Sequence, residues 1–127
     1  MLSIIIPVYN EVKTIDKVIS KIRKLSNIKK QIIVVDDGST DGTSEKLKNI
    51  QKSFKIDTII FSKTNKGKGH AIKLGKKKIR EKFTIIQDAD LEYNPKDYNK
   101  ILKILKQKKY KVVYGSRVLN TKRYSNN

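Results

Sequence analysis

The sequence predicts an α/β fold, a mainly parallel sheet flanked by helices. Two observations carry that expectation. Five short β-branched runs (Ser3 to Val8, Gln31 to Val35, Asp57 to Phe61, Phe83 to Ile86, Lys111 to Tyr114) start 28, 26, 26 and 28 residues apart. Between them, apolar residues fall at helical rather than alternating spacing. Runs that are apolar on successive residues read as strands buried on both faces, as in parallel sheets. Their regular interval suits repeated strand–helix units, so the pattern is (βα)₄β, a doubly wound sheet.

After the first strand, Val12, Ile15, Ile19, Ile22 and Leu25 make one apolar helical face, with Lys13, Lys17, Lys21 and Lys24 mostly elsewhere. After the second, Asp41 or Thr43 is placed to cap a helix from about Ser44 to Ile50. A third helix, from Gly69 to Lys82, carries Ala71, Ile72, Gly75 and Ile79 on one side and almost only lysine on the other. A fourth starts with Asn94 as cap and Pro95 as first helical residue, with Asp97 completing a capping-box-like turn. Its buried face is Tyr98, Ile101, Leu102 and Leu105. Residues 120–127 have no apolar pattern and are expected to fray, which leaves residues 1–119 as one domain.

A chain of 127 residues fits a single domain. It has no cysteine, which excludes disulfides, thiolate zinc sites and cysteine nucleophiles. No apolar run approaches the roughly 18 residues of a transmembrane helix. The apolar start from Leu2 to Tyr9 lacks a basic leader and a small-residue cleavage site, so a soluble, cytoplasmic domain is expected. Thirty cations against 12 acids give a net charge of +18. Only four of those cations are Arg, and no aromatic stripe accompanies them, so no specific nucleic-acid partner is expected. Lys, Ile and Asn, at 26, 19 and 9 residues, point instead to a codon bias. A lysine-rich face could still meet an anionic membrane surface, which would place the domain peripherally on the cytoplasmic side of a membrane.

The acids are more informative than the net charge. Seven of the 12 (Glu11, Asp36, Asp37, Asp41, Asp88, Asp90 and Glu92) follow three apolar blocks. In a doubly wound sheet those positions are the carboxyl ends of strands, where ligands bind. Asp88, Asp90 and Glu92 stand two residues apart, and such close carboxylates repel one another unless a cation neutralises them. An oxygen-only donor set suits a hard ion such as Mg²⁺ or Mn²⁺. The plainer reading, that an Asp caps the next helix, competes with Asn94 and Pro95 for the same task.

Asp36 or Asp37 could accept from a ribose hydroxyl or a base N–H, and the stretch Gly38 to Thr43 also reads as an ordinary polar turn. Tyr9 could stack on a base, and Glu11 sits near a helix start, where its charge is favourable. In Asn65 to Ala71, glycines and Lys68 at a helix N-terminus can approach an anion, although the spacing fits neither the phosphate-binding loop nor the dinucleotide fingerprint. Arg117, after the fifth strand, could clamp a diphosphate or remain a solvated arginine. A response-regulator receiver has a similar length and strand pattern, but its acid pair follows the first strand and here the pair follows the second.

Taken in order, Pro7 to Glu11, Val35 to Thr43, Asn65 to Gly69, Asp88-Ala89-Asp90 and Gly115-Ser116-Arg117 resemble the glycosyltransferase family 2 catalytic domain. The run Gln87 to Tyr93 and the ending Gly115 to Arg117 look most like the dolichyl- or polyprenyl-phosphate mannosyl- and glucosyltransferase branch. The resemblance implies a Rossmann-like GT-A fold and a metal-dependent, inverting transfer of sugar from a GDP- or UDP-sugar to a lipid phosphate or a glycan hydroxyl. By this analogy Pro7, Tyr9, Glu11, Val35 and Asp37 hold the nucleoside, and Asp88, Ala89 and Asp90 reach the ribose and diphosphate. Asp90 and Glu92 take the metal, Arg117 contacts the donor, and Asp88, Asp90 and Arg117 are expected to act in catalysis. Members of this branch usually continue well past the Gly-Ser-Arg position. The chain is therefore expected to be a donor-binding half: a fragment, a truncated gene product, or part of a split enzyme completed by a C-terminal half or partner chain.

Overall fold

The computed structural model describes residues 2–25, 29–89, 103 and 112–114. Five parallel strands, β1 (Leu2–Val8), β2 (Lys30–Asp37), β3 (Thr58–Ser62), β4 (Phe83–Ile86) and β5 (Val112–Tyr114), form one sheet in the order β3-β2-β1-β4-β5. Helices α1 (Ile15–Arg23), α2 (Thr43–Ile50) and α3 (Lys68–Lys76) join successive strands. The parallel α/β sheet is thus as expected, and its winding reverses between β1 and β4.

Side-chain alternation along the strands divides the core in two. Leu2, Ile4, Ile6 and Val8 of β1 pack with Ile15, Ile19 and Ile22 of α1 and Leu47 of α2. Ile5 joins Ile33, Val35 and Ile86 beneath Ala71 and Ile72 of α3. Each fully buried Ile or Leu contributes about 1.5–3 kcal/mol, so the sheet's apolar filling dominates the fold's stability. Among the described residues, no helix is long and apolar enough to cross a membrane.

Three elements differ from their predicted form. β3 lies at the sheet edge and is only half-buried, with Phe61 41% exposed, so it is not covered on both faces. α1 begins at Ile15 rather than Val12, after a turn in which the Thr14 amide donates to the Glu11 carbonyl at 3.2 Å. α3 ends at Lys76 rather than running to Lys82. Beyond it the chain turns toward the buried Gln31, whose Nε2 donates to the Lys78 carbonyl at 2.7 Å and whose Oε1 accepts from the Arg80 amide at 2.9 Å. The Ser3 hydroxyl, donating to Gln31 Oε1 at 2.6 Å, completes this polar plug at the amino ends of the strands. The expected fourth helix and the terminal tail lie outside the described residues.

Pro7 sets where the cleft begins. β1 pairs with β4 from Leu2 to Ile5, and the last contact is the Gln87 amide donating to the Ile5 carbonyl at 2.9 Å. The next rung would need an N–H at residue 7, and proline has none. β1 therefore parts from β4 there, while its pairing with β2 continues to Val8 and Asp36.

Gly75 lets α3 pack close to the sheet: a Cβ there would stand 2.8 Å from Ile5 Cγ2. Gly75→Ala is expected to destabilise the fold by about 1–3 kcal/mol, as overpacked cores do. Gly69→Ala, in the same helix with nothing within 4 Å of its Cβ, should stabilise by about 0.5 kcal/mol. Urea unfolding of the two variants checks the opposite signs.

Candidate functional site

A cavity of about 430 Å³ opens at the carboxyl ends of the strands, where β1 and β4 part. β1 and the loop after it contribute Pro7, Val8, Tyr9 and Glu11, and β2 contributes Asp37. The loop before α3 and its first turns supply Asn65, Gly67, Lys68 and Ala71, and the turn after β4 supplies Asp88 and Ala89. Of the residues singled out in the sequence, Pro7, Tyr9, Glu11, Asp37, Lys68, Asp88 and Ala89 are thus brought together. Val35 is not among them: it is wholly buried in the core beneath α3. Asp90, Glu92 and Arg117 lie outside the described residues.

The loops that form the cavity hold one another through side chains that satisfy backbone amides. Asn10, left-handed at φ 53°, donates its amide to Ser39 Oγ at 2.9 Å, and its Oδ1 accepts from the Thr40 amide at 2.7 Å. The buried Thr43 hydroxyl oxygen accepts from the Glu11 amide at 3.1 Å. Asp41 accepts from the amides of Val12 at 3.3 Å and Thr43 at 3.0 Å, so this carboxylate ties the start of α2 to the loop before α1, although the N-cap residue is Gly42 rather than the expected Asp41 or Thr43. Partial desolvation pushes the Asp41 carboxyl up, but hydrogen bonds from the Thr43 hydroxyl and the Thr43 and Val12 amides outweigh it and leave the pKa below the usual carboxylate value.

The acid pair at the end of β2 divides its labour. Asp36, 1% exposed, accepts from the Ser39 amide at 3.1 Å and from the Ser44 hydroxyl, which shapes its own turn. Asp37, 4% exposed, reaches across to the loop before α3 and accepts from the amides of Lys66 at 2.9 Å and Gly67 at 2.8 Å. Gly38 lets the two loops touch. Its φ is +75°, and a Cβ there would stand 2.5 Å from the Thr64 carbonyl carbon. A side chain at residue 38 would therefore be both strained and obstructed.

On the cavity floor the Lys68 ammonium pairs with the Asp88 carboxylate, and both side chains keep contact with solvent, 49% and 33% exposed. At the mouth, Tyr9 is 45% exposed and offers a ring face. Glu11, Asp37 and Asp88 set three carboxylates against the Lys68 cation. Among the described residues no group of three His, Cys, Asp or Glu could hold a metal ion.

One contact escaped the sequence. The Thr14 hydroxyl lies 2.8 Å from the Ala89 carbonyl and 3.0 Å from Glu11 Oε2, so it ties the first loop to the turn after β4. Thr14 is the N-cap residue of α1, yet its side chain makes no capping bond. Its position signals a cap, whereas its partner is 75 residues away and leaves no local trace. Asn65 and Ala71, also in the lining, are the two ends of the stretch whose glycines and Lys68 the sequence marks for an anion.

Against known proteins, the chain is 37% identical to an uncharacterised protein of Methanocaldococcus jannaschii over 89% of its own length and 50% of that protein's. It is 30% identical to a dolichyl-phosphate beta-glucosyltransferase of Trichomonas vaginalis, over 95% of this chain and 41% of that one. It therefore spans half or less of the length of these relatives. Among solved structures, a Pyrobaculum calidifontis mannosyltransferase in complex with GDP-Man and Mn²⁺ superposes with a TM-score of 0.65 at 26% identity, covering 70% of this chain and 27% of that one. The fold is that of the GT-A glycosyltransferases. The family model described as glycosyl transferase family 2 matches residues 3–126, nearly the full length, and the chain belongs to that family.

Proposed function

We propose that the cavity takes a nucleotide-diphospho-sugar together with Mg²⁺ or Mn²⁺, and that the protein transfers the sugar with inversion to an acceptor, a polyprenyl or dolichyl phosphate. The observation that carries this reading is the cavity itself. It lies at the winding reversal of a parallel sheet and combines an exposed aromatic ring, a buried carboxylate at the end of β2 and a lysine–aspartate pair. The relative named as a dolichyl-phosphate glucosyltransferase and the neighbour holding GDP-Man and Mn²⁺ support the donor and acceptor classes.

In this reading Tyr9 stacks on the base. Asp37 holds the loop before α3 in place through two amides and offers its remaining lone pairs to a base N–H or ribose hydroxyl. Lys68 changes partner when the donor binds, leaving Asp88 for the diphosphate, which frees the Asp88 carboxylate to join Asp90 and Glu92. That donor set is all oxygen and fits a hard divalent cation, whose contribution when bound is to offset charge on the leaving diphosphate. Arg117 adds a second cation to the same diphosphate. Inversion follows from attack on the anomeric carbon opposite the leaving group. A lipid phosphate is already an anion and needs no general base, whereas a hydroxyl acceptor would need one.

Calorimetric titration with UDP and GDP, each with and without Mn²⁺, tests the donor site: one nucleotide should bind, and only with metal. Asp90→Ala is expected to abolish that binding without loss of far-ultraviolet circular dichroism, and unchanged binding would overturn the metal assignment. Lys68→Gln should weaken the diphosphate about tenfold, the loss of one charge-assisted contact. It should leave binding of the free nucleoside unchanged; equal losses for both would show that Lys68 acts on the fold of the cavity.

A further inference from the structure

We infer that the outer face of α3 is an electrostatic docking surface for an anionic lipid membrane. α3 buries Ala71, Ile72 and Gly75 against the sheet, so Lys73 and Lys76, with Lys77 one position further, stand at i, i+3 and i+4 on the opposite, exposed side. From Lys68 to Lys78 there are five lysines and no acid. The other two helices carry acids of their own. α1 has Asp16, which Lys46 of α2 approaches to 3.2 Å, and α2 has Glu45. The sheet face under α1 and α2 is therefore partly self-neutralised; on the α3 side Lys68 pairs with Asp88, while Lys73 and Lys76 lie on a helix that holds no acid of its own.

The chemistry of the patch favours lipid over nucleic acid. Its charges are lysines, compact cations that suit a diffuse anionic surface, whereas base reading relies on the arginine fork. The nearby Arg80 is already within 3.2 Å of Asp57. Among the described residues the exposed large hydrophobic side chains are Tyr9 in the cavity mouth and Phe61, whose ring lies under Lys48 of α2. Neither is on α3, so no stacking platform accompanies the lysines. Placement adds a reason. Lys68 and Ala71 of the same helix line the cavity, so a membrane lying on α3 brings its surface beside the cavity wall, within reach of a lipid-borne acceptor. The docking surface deepens the proposed lipid acceptor but is read without any nucleotide, so either can fail alone.

The test is co-sedimentation of the full chain with phosphatidylcholine vesicles, with and without phosphatidylglycerol, at low and high salt. Binding should require phosphatidylglycerol and vanish at high salt. Each lysine near such a surface is worth about fivefold in partitioning, so Lys73→Gln/Lys76→Gln/Lys77→Gln should weaken binding about 100-fold. Lys13→Gln/Lys17→Gln/Lys21→Gln, on and beside α1 with the same charge loss, should weaken it about threefold or less. Equal losses for the two triple variants, binding to neutral vesicles, no binding at all, or tighter binding to polyuridylate than to vesicles would each overturn the proposal. Should the α3 variant fail to fold, acetylation of the unaltered chain decides instead. Anionic vesicles should protect Lys73, Lys76 and Lys77 and not Lys17 or Lys21, and uniform protection would count against the assignment.

Discussion

The arrangement of the cavity depends on how far β1 can pair. As the middle strand, β1 is hydrogen-bonded to β2 along one edge and to β4 along the other, and both its faces are packed with Ile and Leu. The β4 edge stops after the Ile5 carbonyl because residue 7 is proline, while the β2 edge runs on to Asp36. A strand paired on one side only, at its carboxyl end, leaves a wedge between itself and its other neighbour. Every residue of the cavity hangs on one side or the other of that wedge. Pro7 thus does more than line the site: the missing N–H is what lets the sheet open there.

The acids show how one kind of side chain can serve both framework and chemistry. Asp36, Asp37 and Asp41 all accept backbone amides from loops and so hold those loops in place. Asp37 does both tasks, since it lines the cavity and holds the opposite loop. Asp88, solvent-accessible and paired with Lys68, is the acid whose bonding can change when a ligand arrives. Four cross-loop bonds, Asn10 with Ser39 and Thr40, Glu11 with Thr43, and Val12 with Asp41, make the first two loops one unit.

The strand pattern and the cavity's main residues were legible because they are written in local terms. β-Branched residues in unbroken runs mark strands covered on both faces, and acids just after them mark strand ends. Where the reading missed, the cause was non-local. β3 has the composition of a buried strand and is half-exposed as the edge strand of the described sheet. α3 has helical spacing to Lys82 but stops at Lys76 because Gln31 claims the backbone beyond it. Val35 belongs to a motif whose neighbours reach the cavity and shares a strand face with Asp37, but it stands two residues before the strand end, where it packs in the core with Ala71 and Ile72 of α3. Asp37 was legible as a site residue, and its hold on Lys66 and Gly67 was not, since those amides lie 29 and 30 residues away.

The Thr14 bridge bears on the order in which the molecule folds. Its hydroxyl joins the first loop to a carbonyl 75 residues later, and β1 acquires its β4 neighbour only when residues 83–86 arrive. β1, α1 and β2 can associate early through nearby contacts, but closing the wedge requires a loop of most of the chain. The ligand-binding geometry is therefore a late product of folding, absent from any partly folded species that lacks β4. A ligand that recognises the closed cavity selects the complete sheet, and its binding energy adds directly to the stability of the whole domain.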